Sequence, residues 1–165
     1  MKNLIVIPAR YKSTRLPGKP LKKILNKELI LWVLDACKKI ISNSTNVIVA
    51  TDNKKIFNFV KENNFKSFMT SKNCLTGTDR VAEISKKINA ETYVNVQGDE
   101  PLIKFQDIEK ILQAKKNYPN HVICGYSKLN FDENENNPNI PKIVINKKNE
   151  LLYISRSPIP SNKKN

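Results

Sequence analysis

A cluster of basic side chains follows the first apolar run of the chain. Residues 8–20 read Pro-Ala-Arg-Tyr-Lys-Ser-Thr-Arg-Leu-Pro-Gly-Lys-Pro and carry Arg10, Lys12, Arg15 and Lys19. Arginine offers a planar fork that matches phosphate oxygens, lysine adds a point charge, and Gly18 lets a ligand approach the backbone. This pattern favours a triphosphate whose outer phosphates leave as pyrophosphate. The GxxxxGK[ST] spacing of a Walker loop is absent, and a solvated basic loop is the alternative.

A carboxylate follows a later apolar run. Residues 94–101 read Val-Asn-Val-Gln-Gly-Asp-Glu-Pro. An aspartate at the end of a central parallel strand, beside a glycine, is typical of a Mg²⁺ site, since Mg²⁺ needs only one or two carboxylates besides substrate phosphates. Asp99 is therefore the candidate metal ligand. Glu100 is interpreted as a charge at a helix N-terminus, with Pro101 as the first helical residue.

A third polar segment lies between these two. Residues 75–80 read Leu-Thr-Gly-Thr-Asp-Arg. A glycine between two threonines ahead of a helix offers N–H groups and hydroxyls that suit a base or a ribose. The alternative is structural, with Asp79 and Arg80 capping the helix or pairing within it.

Alternating strands and helices are predicted to position these segments. Short β-branched runs predict strands at residues 4–7, 47–50, 67–69 and 93–96, and near 122–126. Helical stripes are predicted from Leu29 to Ile40, over Ile56, Phe59 and Val60 behind an Asp52 cap, from Val81 to Ile88, and over residues 105–116. This alternation predicts an α/β fold whose parallel sheet brings the three segments to its carboxyl edge. Residues 130–139 are predicted as an exposed loop, and residues 142–145 and 151–154 as a hairpin.

Length and composition narrow the class of protein. The chain has 165 residues, which predicts one domain, and no apolar run approaches a membrane span. Its three cysteines form no CxxC pair, which favours a reduced, cytoplasmic compartment.

The net charge of +14 comes mainly from lysines spread along the whole chain. A solvated basic surface is favoured over a nucleic-acid site, which stays an alternative.

The three segments, in this order, resemble the cytidylyltransferases that activate 3-deoxy-manno-octulosonate (Kdo) as CMP-Kdo. The motifs IPARYKSTRLPGKPL, VIVATD, TGTDRVAE, VNVQGDEP and SRSPIP carry the resemblance from Leu4 to Pro160. It implies a nucleotide-diphospho-sugar-transferase-like, Rossmann-like fold, with a mostly parallel sheet and helices on both faces. It also implies a single nucleotidyltransferase domain over residues 1–165, whose sugar-binding and dimerisation portion starts at about residue 130.

The resemblance also implies ligands and roles. CTP and Kdo would be the substrates, Mg²⁺ the cofactor and a homodimer the assembly, in the cytoplasm and in lipopolysaccharide biosynthesis, with neither a membrane nor a specific nucleic acid as partner. By position, the resemblance implies that Arg10, Arg15 and Lys19 bind the phosphates and that Asp99 binds the metal. The backbone of Pro8 and Ala9 would contact the cytosine, and Thr76, Gly77 and Thr78 would contact the base and the ribose. Gln97 would contact the nucleotide or the sugar, and Arg156 would bind the sugar carboxylate. Arg10, Lys19 and Asp99 form the expected catalytic set.

The chain departs from the family pattern in two ways. Ser71 and Cys74 stand where the family typically has arginine and histidine, and Lys72 replaces the charge but not a bidentate fork. Relatives continue past the SRSPIP motif and supply a second metal-binding aspartate and further sugar contacts, so a C-terminal truncation is expected. Sialic acid or 8-amino-Kdo as the acceptor, and a truncated, inactive nucleotide-binding module, are the alternatives.

Overall fold

Strands and helices alternate through most of the chain. A computed structural model describes residues 2–12 and 16–160. In chain order the elements are β1 (Asn3–Ala9), a 3-10 turn (Lys19–Leu21), β2 (Lys23–Ile24), β3 (Lys27–Glu28), α1 (Leu29–Lys38), β4 (Thr45–Thr51), α2 (Lys54–Glu62), β5 (Lys66–Met69), α3 (Gly77–Ser85), β6 (Thr92–Asn95), α4 (Phe105–Asn117), β7 (Lys142–Ile145) and β8 (Leu151–Ser155).

The contacts divide the chain into two compact units. The first ends at Gly125 and the second begins at Tyr126. This boundary lies close to residue 130, where the sequence places the start of a second portion. The assignment of the whole chain to one domain stays a prediction.

A four-stranded parallel sheet forms the centre of the first unit. Its strand order is β5-β4-β1-β6, with Ile5 opposite Val47 on one side and Val94 on the other. β1 and β4 contain continuous apolar runs because both faces of the sheet are covered there. The order reverses beside β1, and crevices at such reversals are where open α/β sheets bind ligands.

Helices pack on both faces of the sheet, as predicted. Ile5 and Ile7 of β1 face a core formed with α1, α2 and α4, whereas Leu4 and Val6 face Ile84 of α3. All five side chains are fully buried. Burying a side chain of this size contributes about 1.5–3 kcal/mol, so β1 is a rigid base for the loop that follows it.

Three local predictions are wrong. Residues 122–126 form no strand; Val122 is 93% exposed and has no apolar surface to cover it. Asn53, not Asp52, caps α2, because its side chain accepts a hydrogen bond from the Lys55 N–H at 2.9 Å. Glu100 and Pro101 lie in turns, and α4 begins only at Phe105.

The second unit contains the predicted hairpin. β7 and β8 pair antiparallel, with Ile143 opposite Ile154. Residues 130–139 are turns and irregular backbone and are mostly exposed, as predicted. Within the described ranges, no helix combines the length and apolar character needed to cross a membrane.

Candidate active site

A cavity of about 580 Å³ opens at the carboxyl ends of β1 and β6. This is the edge of the sheet where the sequence predicts the three polar segments to meet. All three contribute to its lining, which includes Pro8, Ala9, Arg10, Leu16, Lys19, Pro20, Cys74, Leu75, Thr76, Gly77, Arg80, Gln97, Gly98 and Asp99. Segments that are up to 91 residues apart in the chain therefore share one ligand-sized space.

Two glycines allow these segments to pack closely around Pro8. A Cβ on Gly98 would lie 2.8 Å from the Pro8 carbonyl oxygen, which is closer than real Cβ atoms come. A Cβ on Gly77 would lie 3.0 Å from Pro8 Cγ and 3.5 Å from Gln97 Oε1. The absence of side chains at both positions lets the loop after β6 and the start of α3 approach the end of β1.

An ion pair spans the cavity rim. Lys19 Nζ donates to Asp99 Oδ2 at 2.6 Å, and the two side chains are 36% and 46% exposed. Arg10 lines the same cavity and is exposed. Of the four cations in the basic loop, Lys19 contacts Asp99 and Arg10 lines the same cavity. Lys12 is not among the described lining residues, and Arg15 lies outside the described residues.

The carboxylates at this rim suit a hard cation that keeps its waters. Asp99 is half-exposed, so its oxygens can reach a hydrated ion. Burial raises the pKa of the adjacent Glu100 carboxyl, and the Asp99 charge raises it further. No group of three or more His, Cys, Asp or Glu side chains that could hold a metal occurs in the described ranges. One carboxylate completed by substrate phosphates fits Mg²⁺, not an all-protein cage.

The start of α3 forms the opposite wall. Thr76 Oγ1 accepts from the Asp79 N–H at 3.1 Å, and the Thr76 N–H donates to Asp79 Oδ2 at 2.8 Å, which is a capping box. Asp79 therefore has the structural role that the sequence left open. Thr76 and Gly77 line the cavity, whereas Thr78 is absent from its described lining.

Arg80 makes contacts that sequence reasoning missed. It is 3% exposed and pairs with Asp52 at 2.7 Å, instead of pairing within its helix. It also donates to Thr70 Oγ1 at 2.6 Å and to the Ser71 carbonyl at 3.2 Å. The rarity of arginine in this lysine-rich chain was the available signal, but the three partners of Arg80 lie 9, 10 and 28 residues away.

Ser71 and Cys74, the two departures from the family pattern, share one partner. Glu83 Oε2 accepts from the Ser71 N–H at 2.8 Å and lies 3.3 Å from Cys74 Sγ, while Lys87 Nζ donates to Oε1 at 2.6 Å. The Lys87 and Ser71 hydrogen bonds lower the pKa of Glu83 to about 2. Burial raises the pKa of the Cys74 thiol, and its hydrogen bond to Glu83 raises it further.

Replacing Glu83 with glutamine is expected to lower the free energy of unfolding by about 1 kcal/mol at pH 7, since these partners are half-exposed. The folded-state pKa lies below the ordinary value of 4.5, so this stabilisation is present above pH 4.5 and is lost as the pH falls towards 2. Chemical denaturation of both proteins between pH 7 and 3 measures the difference. A difference in the free energy of unfolding between the two proteins that does not narrow below pH 4.5 contradicts the assignment of a lowered pKa to Glu83.

Two further predicted site residues lie in different units of the chain. Arg156 belongs to the second unit, where it donates to the Pro138 carbonyl at 2.9 Å and its own carbonyl accepts from Lys142 Nζ at 3.0 Å. Its role towards a sugar carboxylate stays a prediction. Gln97 does line the cavity, and its Nε2 lies 3.4 Å from Asn95 Oδ1.

Comparisons with known proteins agree with this geometry. A family model described as Cytidylyltransferase matches residues 4–165. The chain is 44% identical to the 3-deoxy-manno-octulosonate cytidylyltransferase of Fusobacterium nucleatum, over 100% of this chain and 67% of that protein. It is 38% identical to the Escherichia coli protein of the same name, over 96% of this chain and 64% of that one.

The solved structures give the same result. A CMP:2-keto-3-deoxy-manno-octonic acid synthetase complexed with CTP superposes with a TM-score of 0.83 at 38% identity, covering 98% of this chain and 66% of that one. This superposition confirms the predicted fold class. The chain spans about two thirds of the length of these relatives.

Proposed function

This chain belongs to the cytidylyltransferase family, and from that premise we propose that it takes part in the transfer of CMP from CTP to Kdo, which yields CMP-Kdo and pyrophosphate. The observation that carries the proposal is the single cavity in which Arg10, Lys19 and Asp99 meet at the carboxyl edge of the sheet. The CTP complex named above supports CTP as the donor, because the two folds superpose over nearly the whole of this chain.

The reaction needs alignment and charge neutralisation more than a covalent nucleophile. The anomeric hydroxyl oxygen of Kdo forms a bond to the α-phosphorus of CTP, and the bond from that phosphorus to the bridging oxygen breaks, so that pyrophosphate leaves. Arg10 and Lys19 would stabilise the negative charge that builds on the departing phosphates. Pro8 and Ala9 line the cavity, although both are largely buried, and their backbone would contact the base.

Mg²⁺ is proposed as the cofactor, with Asp99 as its ligand. When bound, it would neutralise phosphate charge and help to orient the leaving group. Lys19 pairs with the same carboxylate. The phosphates of an incoming nucleotide would give this ammonium a new partner and leave the Asp99 oxygens free for the ion.

The residues that would contact the sugar are proposed from their positions in the family motifs. Gln97 and Arg156 would contact Kdo, and Arg15 and Thr78 would join the nucleotide contacts. A homodimer, a cytoplasmic location and a place in lipopolysaccharide biosynthesis belong to the same proposal.

Lys19→Met is expected to weaken binding of CTP with Mg²⁺ about 10- to 100-fold, because a charge-assisted hydrogen bond to phosphate contributes about 1.5–3 kcal/mol. Lys22→Met is the matched control, since Lys22 is an exposed lysine three positions along the same loop. Isothermal titration of the 165-residue chain measures both. Equal losses of CTP affinity in the two variants would show that the affinity depends only on net charge and not on the position of Lys19.

Coupled pyrophosphate release tests the acceptor. Kdo, 8-amino-Kdo and N-acetylneuraminate are supplied in turn with CTP and Mg²⁺. We expect Kdo to give the highest kcat/KM. Preference for either of the other two acids transfers the proposal to that acid, and CTP binding without turnover on any of them supports a nucleotide-binding module.

A further inference from the structure

Arg80 is a buried cation in the wall of the proposed nucleotide cavity. Only 3% of it is exposed, although arginine is almost never buried without partners. Its guanidinium donates to Asp52, to Thr70 Oγ1 and to the Ser71 carbonyl. No buried side-chain polar atom in the described part of the chain is left without a hydrogen bond.

These contacts join three separate segments. Asp52 follows β4, Thr70 follows β5, and Arg80 lies in the first turn of α3. The Thr70 N–H also donates to the Thr51 carbonyl at 2.8 Å, which ties the ends of β4 and β5 to each other. The hydrogen bonds of Arg80 therefore fix the position of the α3 N-terminus relative to the carboxyl ends of β4 and β5.

The position of that N-terminus shapes the base-binding side of the cavity. A Cβ on Gly77 would lie 3.0 Å from Pro8 Cγ and 3.5 Å from Gln97 Oε1, so a small movement of α3 changes the gap between the Thr76–Gly77 backbone and the end of β1. The phosphate side, with Arg10 and Lys19, lies on a different segment, and the hydrogen bonds of Arg80 go instead to Asp52, Thr70 and Ser71.

Stability alone does not account for this arrangement. A buried ion pair gains little over well-packed apolar side chains of similar volume, because desolvation offsets most of the attraction. A planar fork with several fixed hydrogen bonds does, however, define the relative position of the segments that it joins.

We propose that Arg80 is a positioning residue that sets the preference of the cavity for cytosine over uracil. The proposal rests on the proposed function, since it takes the cavity to hold CTP. Cytosine and uracil differ in one hydrogen-bonding edge, so discrimination depends on backbone groups placed to within a fraction of an ångström. Phosphate binding by flexible cationic side chains tolerates a larger displacement.

The test compares CTP and UTP affinities in the presence of Mg²⁺ by isothermal titration. Arg80→Lys keeps the charge for Asp52 but cannot hold Asp52 and Thr70 in one plane. We expect the ratio of CTP to UTP affinity to fall at least fivefold, mainly through weaker CTP binding. Thr70→Val removes one acceptor with little change of shape, and we expect a fall of about twofold; it also serves if Arg80→Lys does not fold.

Ile84→Val is the matched control for loss of stability. Ile84 is fully buried in α3 and packs against β1 and β4 away from the cavity, so its variant lowers the melting temperature without touching the Arg80 contacts. We expect its CTP to UTP ratio to stay within twofold of the parent. An unchanged ratio in both Arg80→Lys and Thr70→Val overturns the role of Arg80 alone. A parent chain that does not prefer CTP overturns this role together with the proposed function.

Discussion

Gly98→Ala is expected to lower the free energy of unfolding by about 2–3 kcal/mol and to remove measurable CTP binding. The added Cβ would lie 2.8 Å from the Pro8 carbonyl oxygen, and 3.3 Å from Ile7 Cγ2. Both contacts are with β1, whose side chains are buried on both faces and have no room to yield. Overpacking a rigid region of this kind costs about 1–3 kcal/mol, and the displaced loop carries Asp99.

Gly125→Ala is the matched control for this substitution. Its Cβ would meet only Ile111 Cδ1, at an ordinary van der Waals distance of 3.6 Å. We expect stability within about 0.5 kcal/mol of the parent and unchanged CTP binding. Urea denaturation and isothermal titration measure both quantities. If Gly98→Ala is as stable as Gly125→Ala, the close approach to Pro8 is not a constraint on the fold.

Asp99→Asn is expected to weaken binding of CTP with Mg²⁺ about 30- to 300-fold. The amide keeps the shape of the side chain but removes the charge that holds the cation, and a fixed charge at such a site contributes about 2–3 kcal/mol. Titration with CTP in Mg²⁺ measures the loss. The same titration in EDTA is expected to show a much smaller difference, because Asp99 then repels the phosphates instead of binding them through the ion.

Asp132→Asn controls for the change of net charge. Asp132 is an exposed aspartate in the second unit. We expect its CTP affinity to match the parent within twofold. A loss in Asp99→Asn that is the same with Mg²⁺ and with EDTA would remove Asp99 from the metal site.

Much of the central sheet could be predicted because its strands are defined locally. Apolar, β-branched runs form β1 and β4, and burial on both faces explains why no alternation is seen there, whereas β5 and β6 are mixed in sequence and only partly buried. The same rule fails at residues 122–126, where apolar side chains remain exposed. Composition alone cannot show whether an apolar run finds a surface to cover it.

The β2–β3 hairpin was not predicted for a related reason. Its turn places Leu25 at φ 50° and Asn26 at φ 63°. Glycine and asparagine signal such turns, but leucine adopts a positive φ only when the surrounding structure imposes it. Neighbouring contacts therefore decide this turn, and the local residue types do not.

The candidate site likewise contains residues that the sequence could place and contacts that it could not. Arg10, Gly77 and Asp99 could be predicted together because they follow the ends of β1 and β6 or begin α3, and Lys19 because it lies in the loop after β1. The Arg80–Asp52 pair joins residues 28 positions apart, and Asp52 was expected to cap α2 instead. A cap and an ion pair both suit an aspartate after a strand, and only the packing of α3 on the sheet decides between them.

The most direct test of the account locates the nucleotide on the molecule. ¹⁵N-labelled chain is titrated with CTP and Mg²⁺, and amide chemical shifts are followed by NMR. We expect the largest changes at Ala9, Arg10, Lys19, Thr76, Gly77 and Asp99, which lie around one end of the sheet. Shifts confined to other surfaces, or none at CTP concentrations above 5 mM (roughly the weakest affinity expected of a specific site), would contradict the claim that this cavity is the cytidylyl donor site.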